Sequence, residues 1–267
     1  MTLPDRDLPH SLDRTVVIQA APQTVFTFFT DNDRWASWWG AGSTIDPKSG
    51  GRVYIRHANG IESSGEVIDV QPPTRIVFTY GFNSGHPIPP GSSRVTISLE
   101  QHGAATRLDL RHEFPEASTR DEHVQGWRYQ LSVFGNVVAD LVSARAVDTV
   151  DAWFALWSDA SEEGRRQTLT KIATSEVRFR DRFSLLDGRD DLVLHIGATQ
   201  RFMPGLQLRR QGEIRHCQGT VLVDWVAVAT DGSQRGAGTN VVVLQADGKV
   251  ASVTGFWAPP KPSPDGT

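Results

Sequence analysis

Between Glu176 and Phe183 the residues alternate. Val177, Phe179, Asp181 and Phe183 fall on one side of an extended segment, and Arg178, Arg180 and Arg182 on the other. That alternation sets one carboxylate, Asp181, among apolar side chains. Burial disfavours the charged form of a carboxylate, the usual route to a base that works near neutral pH. Such a base removes an acidic carbon-bound proton from an apolar carbonyl compound and needs neither cofactor nor metal. The competing placement is a strand end, where the same carboxylate bonds a backbone N–H or pairs with Arg182. Asp224, between Val223 and Trp225 in a strand apolar on both sides, is a second candidate for a buried acid.

The histidines carry less pattern. His57, His112 and His123 belong to separate segments, with no metal-ligand spacing such as i, i+4 on a helix, so no metal site is expected. His195 sits on an expected helix, from which it either points into an apolar interior or rests as a satisfied core or surface residue. His216 and Cys217 are neighbours in a strand and face opposite ways, so they form no dyad. Cys217 is the single cysteine, which excludes an internal disulfide and any multi-cysteine metal site and fits a reducing cytoplasm.

The elements that must position these groups are drawn from 267 residues, a length that predicts about two domains. Apolar residues make up 39% and charged residues 22%, the balance of globular cores with polar surfaces. Net charge is −4 and the 27 basic side chains are scattered, so no nucleic-acid or anionic-membrane partner is expected. No basic region followed by a long apolar segment opens the chain, and no apolar run is long enough to span a membrane, so neither secretion nor membrane insertion is expected. Residues 1–11 and 258–267 read as disordered ends.

In the first half, Arg14 to Gln19 reads as a strand and Ala21-Pro22 opens a helix that Asp31-Asn32-Asp33 ends. Strands follow over residues 52–57, 62–70, 75–80, 94–100 and 106–113, and Pro72-Pro73 breaks two of them apart. A long helix from about Thr119 to Arg145 carries Val124, Trp127, Leu131, Phe134, Val138 and Leu141 on one stripe. With Ala21-Pro22, Trp38-Trp39-Gly40, Gly50-Gly51, the run Gly65 to Thr79, and His123 with Gly126-Trp127, residues 12–145 resemble the Aha-type activators of heat-shock-protein ATPase, a branch of the START-like (SRPBCC) helix-grip proteins. The resemblance implies a curved sheet around the long helix with a cavity between them. Trp38, Trp39 and Trp127 would then bind an apolar ligand or simply fill the core.

In the second half, helices are expected over residues 147–157, 162–173 and 190–199, and strands over 206–217, 220–229, 234–245 and 249–257. Asp231-Gly232 and Asp247-Gly248 mark hairpin turns. Residues 147–257 resemble nuclear-transport-factor-2-like proteins, in particular the SnoaL-like polyketide cyclases. The resemblance rests on Val177-Arg178-Phe179-Arg180-Asp181, on Gly188 before a helix, and on Asp247-Gly248-Lys249-Val250 leading to Gly255-Phe256-Trp257. It implies an α+β fold, an N-terminal helix-grip domain followed by a C-terminal cone-shaped α+β barrel, and a homodimer. Asp181 stands where ketosteroid-isomerase-like members carry their base, and Asn240 where they place a donor to the developing oxyanion. Trp153 and Phe154 occupy the region of their tyrosine and supply no phenol. Trp153, Phe179, His195 and Trp225 would line the ligand site. The function implied is binding of a small hydrophobic molecule, with cofactor-independent isomerase or cyclase chemistry on Asp181 and Asn240. A non-catalytic carrier and a co-chaperone-like interaction protein are the alternatives.

Overall fold

The structure, a computed structural model, describes residues 7–258 and is a mixed α+β fold whose chain divides into two compact units between Ala139 and Asp140. The remainder of the expected disordered ends, residues 1–6 and 259–267, lies outside the described residues. Among the described residues, no helix is long and apolar enough to cross a membrane.

The first unit is built on a seven-stranded antiparallel sheet in the order β1-β7-β6-β5-β4-β3-β2. Its strands are β1 (His10–Ile18), β2 (Thr44–Ile45), β3 (Arg52–Arg56), β4 (Glu62–Gln71), β5 (Arg75–Tyr80), β6 (Ser93–His102) and β7 (Ala105–Phe114). β1 begins at His10 rather than Arg14, because residues 10 to 13 pair with Phe114 to Arg111 of β7. The helix opened by Pro22 is short. α1 (Pro22–Thr27) gives way to α2 (Asn32–Trp39), so Asp31 starts a helix where the sequence was expected to end one. Its carboxylate caps the new helix by accepting from the Arg34 N–H.

α3 (Ala117–Val142) presents Trp127, Leu131, Phe134 and Val138 to the core, where Phe134 meets Phe28, Phe29 and Trp38. The expected stripe stops short of Leu141, which is 41% exposed. The Gln130 amide donates to the Trp38 carbonyl and ties α3 to the end of α2.

Gly65 is where β4 passes closest to the backbone of β5. A Cβ built there would sit 1.8 Å from the Thr79 carbonyl oxygen, an approach only glycine permits. Gly65→Ala is expected to destabilise the first unit by about 3 kcal/mol, since a paired backbone cannot yield as a flexible side chain can. A urea midpoint equal to wild type would contradict this.

The second unit packs α4 (Ala146–Leu156), α5 (Glu162–Ile172) and α6 (Gly188–Phe202) with a six-stranded sheet ordered β10-β11-β12-β13-β8-β9. The strands are β8 (Ala173–Arg180), β9 (Leu185–Asp187), β10 (Gln207–Cys217), β11 (Thr220–Val228), β12 (Gln234–Leu244) and β13 (Val250–Trp257). β8 runs parallel to β13 and the other pairings are antiparallel. Asp231 and Asp247 each accept the N–H two residues on, and Gly232 and Gly248 take positive φ, which closes the two expected hairpins. Trp153, Leu169, Val177, Leu192 and Val253 are among the buried side chains of its core.

Candidate functional site

The second unit encloses a cavity of about 430 Å³. Trp153, Phe154 and Trp157 reach it from α4, Phe179 from β8 and His195 from α6. Trp225, Asn240 and Trp257 reach it from β11, β12 and β13. Asp181 lines it as well, but not as the alternation implied. β8 ends at Arg180, and residues 181–184 form a turn closed by Asp181 N–H to the Ser184 carbonyl (3.1 Å) and Ser184 N–H to the Asp181 carbonyl (3.4 Å). The side chain is therefore half-buried rather than enclosed by apolar neighbours, and Phe183 is 68% exposed. One carboxylate oxygen of Asp181 accepts the Phe183 N–H at 2.8 Å, and the other accepts the Trp257 indole N–H at 3.1 Å.

Asn240 is 5% exposed and lines the same cavity. It pairs across the sheet with Gly255. A Cβ on Gly255 would lie 3.1 Å from Asn240 Oδ1 and 3.3 Å from Asp181 Cβ, so a bare Cα separates the acid from the amide. Two further donors stand on the cavity wall: the indole N–H groups of Trp153 and Trp225 are buried and have no partner among the described residues. Trp153 thus brings an unpaired N–H to the region where a phenol was missing. His195 Nε2 lies 3.2 Å from Ser184 Oγ, and its ring meets Trp157 edge-on. Asp224 belongs elsewhere. Its side chain is 49% exposed and accepts from Thr239 Oγ1 at 2.5 Å, because the alternation of β11 turns Trp225 inward and Asp224 outward.

Three of the tryptophans of the first half meet a different cavity, about 620 Å³, inside the first unit. Trp38, Trp39 and Trp127 line it with His57, Tyr80, Phe82 and His123. His57, His112 and His123, scattered in sequence, converge around Tyr80. The rings of His112 and His123 lie 5.5 Å and 6.0 Å from the Tyr80 ring, and the Tyr80 hydroxyl lies 3.4 Å from His57 Nε2.

His112 is fully buried and locked in one tautomer. Its Nδ1 accepts the Trp127 indole N–H at 2.9 Å, so Nε2 carries the proton and donates to Ser93 Oγ at 2.8 Å, which donates onward to the Tyr80 carbonyl. Burial holds His112 well below the usual histidine range, with the neighbouring His123 adding to the effect. Burial also lowers His57 and His123, and the Thr119 carbonyl beside His123 opposes the shift there. The Tyr80 phenol is pushed up to about 12 by burial. No spacing in the sequence joins residues 57, 80, 112 and 123. The sequence likewise assigns Ser184, Trp157, Trp257 and Gly255 to no site, because only contacts between distant segments bring them to the cavity.

None of the curated proteins matches the chain. Among solved structures it is similar to a SnoaL-like family protein from Agrobacterium tumefaciens, at 22% identity over 43% of this chain and 99% of that one, with a TM-score of 0.42. It is also similar to CalU16 from Micromonospora echinospora, at 25% identity over 47% of this chain and 73% of that one, with a TM-score of 0.40. A third such structure is Ms6760 from Mycobacterium smegmatis, at 20% identity over 51% and 92% of the two chains, with a TM-score of 0.42. Residues 19–139, which hold the first unit's cavity and its histidines, match the family model described as Activator of Hsp90 ATPase homolog 1-like protein.

Proposed function

We propose that residues 12–145 form a START-like helix-grip domain and residues 147–257 a SnoaL-like cone. The second domain binds a small hydrophobic carbonyl compound and performs cofactor-independent acid–base chemistry on it. The observation that carries this reading is the juxtaposition, across Gly255, of the buried Asn240 and Asp181 at one aromatic-walled cavity. An amide on the cavity wall can donate an N–H to a ligand oxygen.

In the proposed reaction an Asp181 carboxylate oxygen takes a proton from the carbon next to the substrate carbonyl. The electron pair of the broken C–H bond moves into the C–C bond, the carbonyl oxygen becomes an enolate, and Asn240 donates an N–H to it. The protonated Asp181 then returns the proton to another carbon, giving an isomer, or the enolate carbon attacks a second carbonyl and closes a ring, and the oxygen of that carbonyl takes the proton from Asp181. Asp181 keeps lone pairs for this work, because a carboxylate offers about four acceptor sites and two are occupied. A carrier without turnover is the second reading, favoured by the half-buried state of Asp181, which leaves it less desolvated than a strong base requires.

The test is hydrogen–deuterium exchange on α-tetralone in deuterium oxide, followed by proton NMR. Loss of the signal next to the carbonyl faster than in buffer supports catalysis. Binding by calorimetry with no exchange above buffer would leave the carrier reading in place and remove the catalytic one.

A further inference from the structure

The first unit's cavity contains two buried polar atoms that nothing among the described residues satisfies, Nε2 of His123 and the indole N–H of Trp39. Their chemistry is opposite and determined. His123 Nδ1 lies 2.7 Å from the Thr119 carbonyl, which only accepts, so Nδ1 carries the proton and Nε2 holds a lone pair. Burial lowers the proton affinity of His123, which keeps the ring neutral near neutral pH. Trp39 is 6% exposed and can only donate.

The surrounding walls are rings. Trp39 meets Trp127 and His57 at 5.7 Å, and Phe82 meets Tyr80 at 5.5 Å and His123 at 5.7 Å. A flat ring fills such a space through edge and face contacts. A saturated acyl chain would leave both polar atoms unpaired, and a carboxylate would meet a lone pair at His123.

We propose that this cavity binds a planar hydroxylated aromatic compound, whose hydroxyl donates to His123 Nε2 while an oxygen of the ligand accepts from the Trp39 indole N–H. The volume of about 620 Å³ suits a ligand of two or three fused rings. This site is independent of the Asp181 chemistry, and either can fail without the other.

The test uses β-naphthol and its methyl ether, which differ only in the hydroxyl proton, titrated calorimetrically into the full chain near neutral pH. β-Naphthol is expected to bind about tenfold more tightly than the ether, and His123→Phe should bring the two affinities together. Equal affinities in the wild-type chain, or a preference that survives in His123→Phe, would overturn the proposal. So would a preference abolished by Asp181→Asn and untouched by His123→Phe, which would place the probe in the second unit. Should His123→Phe fail to fold, nitrogen NMR of the histidine side chains decides instead on the wild-type chain. His123 is the Nδ1-protonated ring, and its Nε2 signal should move on saturation with β-naphthol. An unmoved signal overturns the assignment.

Discussion

Asp181→Asn is expected to slow α-proton exchange in the C-terminal cavity by about 10²- to 10⁴-fold while leaving ligand affinity unchanged. The amide is close to isosteric with the carboxylate, so the shape of the cavity is kept. It cannot take a proton, so a step that depends on general base catalysis loses that contribution entirely. A modest stability change should accompany it. Both carboxylate oxygens accept N–H groups, from Phe183 and from Trp257, and an asparagine can match only one of them with its oxygen. The second N–H would face an NH₂ group, a loss of about 1 kcal/mol at a half-buried site. Exchange measured by NMR beside affinity measured by calorimetry separates the two effects. Exchange at the wild-type rate in the variant would remove Asp181 from the reaction. A fall in affinity without a fall in exchange at saturation would make it a binding group.

Acidification is expected to destabilise the first unit, with His112 as the main cause. In the folded chain His112 is held neutral, since Trp127 already donates to the nitrogen that protonation would have to charge. Its folded-state proton affinity therefore lies well below that of the unfolded chain, where a histidine titrates near 6.5. Below that value the unfolded state binds a proton that the folded state refuses, so stability falls as the pH falls, by up to about 1.4 kcal/mol per pH unit.

Between about pH 7.5 and pH 5 the unfolded chain's titration near 6.5 caps this loss at about 2 kcal/mol from His112 alone. His57 and His123 act in the same direction but are less buried and contribute less. Glu113, lowered mainly by its hydrogen bond to Arg94, adds to the loss only at lower pH, as its carboxylate protonates. Urea unfolding at a series of pH values measures the slope. His112→Gln, whose amide can accept from Trp127 and donate to Ser93, should be less stable near neutral pH yet lose less on acidification. Identical slopes in wild type and variant would show that another group carries the effect.

Much of this architecture is legible along the chain because the signals are local. Apolar runs rich in β-branched and aromatic residues marked the strands around Val77 and Val223, and period three-to-four placed Trp127, Leu131, Phe134 and Val138 on one face of α3. Aspartate–glycine pairs marked the hairpins at Asp231 and Asp247 for the same reason, since the turn geometry is set by the two residues themselves. Where an element ends is less local. Asp31 reads as the end of one helix, and the structure uses it as the cap of the next.

For the sites, the sequence by itself determined which residue types were available: an acid in an alternating apolar segment, an amide further along the chain, and tryptophans enough to wall two cavities. Tertiary structure alone decided what they meet. Alternation would bury Asp181 if β8 continued, but the strand stops at Arg180 and the turn that follows hands the carboxylate to Trp257, 76 residues away. Asn240 faces Asp181 only because β12 pairs with β13 in the register that sets it beside a glycine. His112 and His123 share no spacing, yet their rings come within 5.3 Å once α3 lies against β7. The physical reason is one of range. Backbone periodicity and turn chemistry act over a few residues, whereas register, strand ends and the partner of a buried polar group are settled by contacts between segments far apart in the chain.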